Sequence, residues 1–316
     1  MPADLSKSLV IGISSRALFD LEAANAVYEA DGLAAYTDHM LAIESEPLGK
    51  GSGFDLIRAI LDLNGKISGH RPCEVVVMSK NSPATSFSLF NSIEHYGLGI
   101  GRAVLSGGIL LAPYLHAFSV DLYLSADETD VRTAIAAGIA AAVIYPTPTT
   151  EADPRKEIRI AFDGDAVLFS DEAERIYKEN GFEAFIDHEK QKAKDQLPKG
   201  PFARLLHTLS VIQKDKQFTS PPIRTALVTA RSMPSHMRVL NTLRAWGVHV
   251  DEAFFMGGVE KTEILRAFNP HIFFDDQETH CRPASSVVST GRVPYGVANE
   301  TRNPETSAQE TTSRES

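Results

Sequence analysis

The chain has 316 residues, 31 Lys and Arg against 41 Asp and Glu, a formal charge of -10 and 43% hydrophobic side chains. That is a globular composition, and without a basic patch its acidity excludes a nucleic-acid polymer or an anionic membrane as partner. Cys73 and Cys281 stand far apart with no metal or redox spacing, which excludes a disulfide scaffold and fits a reducing cytoplasm. The N-terminal MPADLSKS lacks a signal-peptide core, and no apolar run approaches the ~20 residues that cross a bilayer, so a soluble cytoplasmic protein is expected.

Length alone points to two cores, since single ones stop growing near ~250 residues. Taken in chain order, LVIGI (9–13) reads as a strand, and about sixty residues then pass before EVVVMS (74–79). A simple βαβ unit needs only roughly 30 residues, so a helical insert belongs there. AVLS (103–106) and DLYLS (121–125) follow, separated by helical patterns such as Phe87, Phe90 and Ile93 at a spacing of three. Proline, threonine and charge in TPTTEADPRKE (147–157) mark a boundary near mid-chain.

The second half repeats the pattern. IRIAF (158–162) is followed by a helical cap over 172–194, broken at LPKGP and resumed over 202–213. TALVT (225–229), a helix carrying Met237, Leu240 and Leu243, then EAFFM (252–256) and HIFFD (271–275) complete it. The last segment, 299–316, has one alanine and no larger apolar side chain, which predicts a disordered tail. The alternation predicts an α/β fold of two Rossmann-like parallel-sheet lobes, over 1–150 and 151–298, each with a helical cap insertion, the second near 171–220.

The halves also match residue by residue. At an offset of 150, residues 77–108 lie on 227–258 without a gap, with identities that include Ser82/Ser232, Asn91/Asn241, Gly97/Gly247 and Gly107/Gly257. At an offset of 149, residues 13–39 lie on 162–188, with Ala17/Ala166, Tyr28/Tyr177, Gly32/Gly181 and His39/His188 identical. The register of 150 returns at 120–129 against 270–279. An internal duplication is expected.

The sharpest chemical signal is FDGDAVLFSDE. A strand delivers Asp163 to its carboxyl end, where open α/β sheets bind ligands; Gly164 permits a tight turn, and Asp165 follows. Two converging carboxylates favour a hard divalent cation such as Mg²⁺. Thr229 ends a strand, Asp275 and Asp276 end another, and Lys261 stands near a helix start. Singly, each has a bland reading as a cap, a turn or a solvated charge. Together, a doubly wound sheet would bring them to one edge. Arg231 is read either as a phosphate or ribose contact or as a surface group.

The strings SSRALFD, LYLSAD, FDGDAVLFSDE, LVTARS, HIFFDDQ and VPYG resemble those of the haloacid dehalogenase-type phosphohydrolases, and more closely the cytosolic type I 5'-nucleotidases, across nearly the whole chain to Gly296. The resemblance implies Mg²⁺-dependent hydrolysis of nucleoside 5'-monophosphates, with AMP the first substrate to try, and hints at a homo-oligomer. It implies Asp163 as nucleophile and metal ligand, Asp165 as general acid and base with its carbonyl on the metal, and Asp275 and Asp276 at the metal. It further implies that Gly164, Thr229, Ala230 and Lys261 hold the phosphoryl oxygens.

Opposite Asp163, Asp165, Thr229 and Lys261 stand Ser14, Arg16, Ser79 and Leu111, and opposite Asp275 and Asp276 stand Ser125 and Ala126. The first half therefore reads as a degenerate, non-catalytic copy. Its polar positions, Ser14, Arg16 and Asn81 among them, are read either as an effector site for a nucleotide, as contacts to the substrate's base, or as structure only. A phosphatase for other small phosphomonoesters and a non-catalytic nucleotide-binding regulator are the alternative functions.

Overall fold

The computed structural model describes residues 5, 8–67, 71–146 and 157–300. The expected boundary at 147–157 lies outside the described residues except for Glu157, and so does the tail from residue 301 onward.

The strands of the first half are β1 (Leu9–Ile13), β2 (Phe19–Asp20), β3 (Gly49–Lys50), β4 (Cys73–Ser79), β5 (Arg102–Leu105), β6 (Leu122–Ser125) and β7 (Ala140–Ile144). Those of the second are β8 (Ile158–Phe162), β9 (Ile223–Thr229), β10 (Glu252–Phe255), β11 (Ile272–Asp275) and β12 (Thr290–Arg292). Between them run α1 (Ser15–Leu18), α2 (Glu22–Ala42), α3 (Phe54–Asp62), α4 (Phe87–His95), α5 (Ala112–Ala117) and α6 (Glu128–Ala136). The second half adds α7 (Glu172–Gln191), α8 (Ala203–Gln213), α9 (His236–Trp246), α10 (Thr262–Phe268) and α11 (Glu278–Ser285).

The halves do not form two sheets, as the sequence predicts, but one. Ten strands run in the order β10-β9-β8-β11-β12-β7-β6-β1-β4-β5, with β2 and β3 in a separate small pair. Read outward from the centre, both halves have the same order, and within a half every pairing of the ten-stranded sheet is parallel, while β2 and β3 pair antiparallel. At the seam β12 and β7 pair antiparallel through Gly291↔Ile144 and Arg292↔Val143. The seam strands are among the elements that the sequence hides. β7 is AAAVI, rich in a helix former, and β12 is the three residues TGR. Gly291 is needed there, because a Cβ would stand 2.9 Å from both the Ala142 methyl and the Phe274 ring.

Strands buried on both faces read as apolar runs, and alternate residues serve different cores. Leu9, Ile11, Ile13, Ile158, Ile160 and Phe162 join one cluster that runs under the inserts of both halves. Val10, Val76 and Tyr123 pack with Leu115 and Val131, from α5 and α6 of the first half, while Ala161, Val228 and Phe273 pack with Leu265 and Ala284, from α10 and α11 of the second. Each insert contains one long helix interrupted by a glycine at positive φ, Gly32 in α2 (φ 79°) and Gly181 in α7 (φ 84°). No described helix is long and apolar enough to cross a membrane.

Because the seam is antiparallel, β1, β4 and β6 point one way and β8, β9 and β11 the other, and the register sets Ser125 at the end of β6 level with Asp275 at the end of β11.

Candidate active site

The acidic positions of the second half meet at its carboxyl edge. Asp163 follows β8, and its N–H donates to the Phe274 carbonyl at 2.7 Å, which fixes it against β11. Asp275 ends β11 and Asp276 follows. The carboxylates of Asp163, Asp275 and Asp276 all lie within 4.8 Å of one another, and all three are buried.

Lys261, at the start of α10, enters between them. Its Nζ donates to Asp163 Oδ1 and to Asp275 Oδ2, each at 2.6 Å. The Lys261 side chain is only 4% exposed, so no water competes strongly for those bonds. Asp275 Oδ1 also accepts the Gln277 N–H at 2.9 Å, and the His280 ring lies 3.2 Å from Oδ2. Asp276 Oδ2 is buried without a hydrogen-bond partner. Three carboxylates against one ammonium leave two negative charges in excess, with one oxygen unsatisfied. A buried, all-oxygen donor set of that charge fits a hard divalent cation.

The electrostatics show the same excess. Burial pushes the Asp163 carboxyl up to about 7; the Lys261 ammonium opposes this, and the Asp275 charge adds to it. Burial and the neighbouring charges of Asp275 and Asp163 push Asp276 well above the usual carboxylate range. Asp275 is held below that range: burial acts against this, but Lys261 and His280 outweigh it. Burial alone would lower the Lys261 ammonium, yet Asp163 and Asp275 raise it.

Thr229 ends β9, is buried, and accepts the Arg231 N–H at 3.3 Å. Its Oγ1 would stand 3.1 Å from a Cβ at position 164, so glycine lets the turn after β8 close on the β9 terminus. Ala230, the next residue, is exposed. Asp165 stands beyond Gly164 in a turn where Ala166 takes a left-handed φ of 59°. The structure thus gathers Asp163, Gly164, Asp165, Thr229, Lys261, Asp275 and Asp276 on one edge. A cavity of about 430 Å³ opens beside Asp276, walled by Lys178 from the cap, by Arg292 and Asn299, and by Arg132 from the first half.

Arg231 is not a surface group. It is buried, and Nε and Nη2 donate to Oδ2 and Oδ1 of Asp165 at 2.8 and 2.7 Å. Nη1 donates to Glu189 Oε2 on α7 at 2.6 Å. Sequence reasoning missed Glu189. A signal was present: at the offset of 149 it stands opposite Met40, which is 2% exposed, so an acid occupies a core position.

Ser14, Arg16 and Asn81 follow the carboxyl ends of first-half strands, which point the opposite way from those that carry Asp163 and Thr229. Ser14 caps α1 by accepting the Ala17 N–H at 3.2 Å, and Arg16 forks onto Glu22 with two bonds of 2.7 Å. The Asn81 N–H donates to Ser79 Oγ at 3.1 Å.

A parallel-sheet carboxyl edge with acids flanking a buried lysine under a helical insert defines an α/β protein with a candidate ligand site at that edge. The 5'-nucleotidase family model matches residues 1–300. The chain is 38% identical over 298 residues to human cytosolic 5'-nucleotidase 1B, covering 91% of this chain and 49% of that protein. It belongs to the 5'-nucleotidase family, and it spans about half the length of that curated relative. No solved structure gives a significant match.

Proposed function

We propose that the chain hydrolyses nucleoside 5'-monophosphates with Mg²⁺, AMP first among them, through a phosphoryl group carried transiently on Asp163. Family membership supports the substrate class. The observation that carries the reading is the buried Lys261 joining Asp163 to Asp275 beside the unpartnered oxygen of Asp276.

Asp163, Asp275 and Asp276 would hold the metal, with the Asp165 carbonyl. When bound, the cation supplies neutralisation of the phosphoryl oxygens. Asp163 attacks phosphorus, which splits one displacement into two easier ones. Lys261 fixes the carboxylate it attacks with and offsets the charge of the incoming dianion. Thr229 Oγ1 and the N–H groups of Gly164 and Ala230 receive phosphoryl oxygens. Asp165 gives a proton to the departing ribose 5'-oxygen, then takes one from the water that cleaves the Asp163 adduct. Phosphoryl transfer depends mainly on such positioning.

The two halves are read as copies of one haloacid dehalogenase-type lobe, over 1–150 and 151–298, of which only the second kept its chemistry. Support comes from their equal strand order and from the glycine breaks at Gly32 and Gly181.

The test is phosphate release from AMP, IMP, dAMP, CMP and glycerol phosphate, with Mg²⁺ and with chelator. Release from the nucleotides that stops on chelation and in Asp163→Asn, with a phosphorylated Asp163 found by mass spectrometry in the wild type, is the expected result. Full speed under chelation, or an adduct on another residue, rejects the mechanism.

A further inference from the structure

Arg231 divides its guanidinium between two acids from different parts of the chain. The fork of Nε and Nη2 holds both oxygens of Asp165, and Nη1 holds Glu189. The other Glu189 oxygen accepts from Arg238 Nη1, on α9, at 2.8 Å. The side chains of Glu189, Arg231 and Arg238 are 0%, 2% and 2% exposed. Phe185 of α7 covers the guanidinium face of Arg231, 5.9 Å from its ring centroid. A continuous line of charge-assisted hydrogen bonds thus joins the loop after β8 to the cap helix.

We propose that Glu189 is a positioning residue for leaving-group departure: by holding Arg231 from the cap side, it aims Asp165 at the ribose 5'-oxygen. The proposal rests on the reading of Asp165 as the proton donor. Two observations carry it.

The first is the cost of the arrangement. Taking three ionised side chains out of water is repaid by pairing only in part, so such a network is weak evidence of a stability device.

The second is its absence from the other half. At the offsets that superimpose the halves, Asp165, Glu189, Arg231 and Arg238 correspond to Arg16, Met40, Asn81 and Ser88. Met40 and Ser88 are 2% and 1% exposed, so the same scaffold closes its insert over these positions without a buried ion. The network accompanies the acid and not the fold.

Asp165, 21% exposed, takes its first proton from solvent and in later turnovers from the water that cleaves the Asp163 adduct; it keeps one oxygen on the Arg231 fork and turns the other toward the bridging oxygen. As Asp163 forms its bond to phosphorus, the bond from phosphorus to the ribose oxygen breaks and its electron pair stays on that oxygen, which receives the Asp165 proton. Arg231 does not follow Asp165, because Glu189 retains Nη1, and Asp165 therefore moves against a fixed pivot.

The test uses two substrates that differ in one atom: a nucleoside 5'-monophosphate and its analogue with sulfur as the bridging 5' atom. The sulfur leaves as a thiolate and needs no proton. The quantity is kcat/KM, which spans the steps up to departure of the nucleoside. Asp165→Asn is expected to lower it by ~10²–10⁴-fold for the oxygen ester, and far less for the sulfur ester. Glu189→Gln is expected to shift the ratio of the two substrates in the same sense, by roughly tenfold or more. The ratio within one preparation does not depend on the fraction folded. Arg231→Lys keeps the charge but loses the fork, and is expected to shift the ratio likewise should Glu189→Gln not be recovered. Equal losses on both substrates, in whichever of these two variants is recovered, overturn the proposal and leave Glu189 a packing residue. If Asp165→Asn itself fails to discriminate, Asp165 is not the donor, and both readings fall for that separate reason.

Discussion

Ser14 and Asp163 occupy the same place in the two halves of one sheet: each donates its N–H to the carbonyl near the end of the neighbouring strand, Leu124 at 2.8 Å and Phe274 at 2.7 Å. The equivalence continues around both edges. Ser79 and Thr229 each accept the N–H two residues on, from Asn81 at 3.1 Å and from Arg231 at 3.3 Å. Ser125 and Asp275 do the same toward Asp127 and Gln277. What differs is charge: Leu111 stands where Lys261 stands.

Restoring one acid to the first half is therefore not enough. In an Asp163→Asn background, Ser14→Asp is expected to recover no phosphate release, because neither a lysine nor an acid at positions 125–126 faces it. Measurable turnover from that double variant would show that a lone carboxylate on this edge suffices.

Lys261→Met removes the cation between Asp163 and Asp275. Breaking a buried pair costs about 3–5 kcal/mol, so the metal-free protein should melt several degrees lower, and added Mg²⁺ should recover part of the loss. Activity should fall by at least ~10²-fold, as for other groups that stabilise charge in a transition state. A variant that melts like the wild type without metal would mean that Lys261 does not balance the acids.

The metal-free protein should become less stable as pH rises from about 4 through about 7. Asp163, pushed up to about 7, and Asp276, raised well above its usual range, hold protons in the folded chain that the unfolded chain has already released. Their contribution is present in full below the unfolded value near 4 and is lost as pH climbs through the folded one. Asp275 is lowered and acts in the opposite sense, losing its contribution as pH falls through its folded value. Mg²⁺ replaces the protons, so its stabilising shift should be larger at pH 8 than at pH 5.5. Thermal melts at the two pH values with and without Mg²⁺ check this, and an equal shift at both would contradict it.

Gly291→Ala places a methyl 2.9 Å from Ala142 and Phe274 at the seam. Overpacking of this kind costs about 1–3 kcal/mol. The variant is expected to unfold at lower denaturant while the kcat of the folded fraction stays near wild type, since the substitution touches no acid. A large fall in kcat with unchanged stability would tie the seam to the chemistry.

The order of elements and the acidic site were legible because both rest on local patterns. Buried parallel strands are apolar runs, and a carboxylate one residue beyond such a run falls on a sheet edge whatever surrounds it. The seam was not legible, because β7 has helix-forming alanines and β12 is too short to carry a period; their pairing with β6, with β11 and with each other makes them strands. Glu189 was not legible for the opposite reason. It lies in KENGFEAFIDHEKQ, where an acid among charges reads as solvated, and its burial depends on two arginines brought from 42 and 49 residues away. For Arg231 the sequence leaves a ligand contact and a surface group equally open, because its two partners, Asp165 and Glu189, come from 66 and 42 residues away.

The antiparallel seam gives the molecule two fronts that face away from each other. The row Ser125, Val143, Arg292, Asp275 runs straight across the seam, so the two carboxyl ends stand level with each other and point opposite ways, and the seam itself is a ladder of two residue pairs. Beyond those rungs the halves share one continuous core, and Arg132 donates to the Pro294 and Asn299 carbonyls, so the wall of the cavity beside Asp276 is built from both halves.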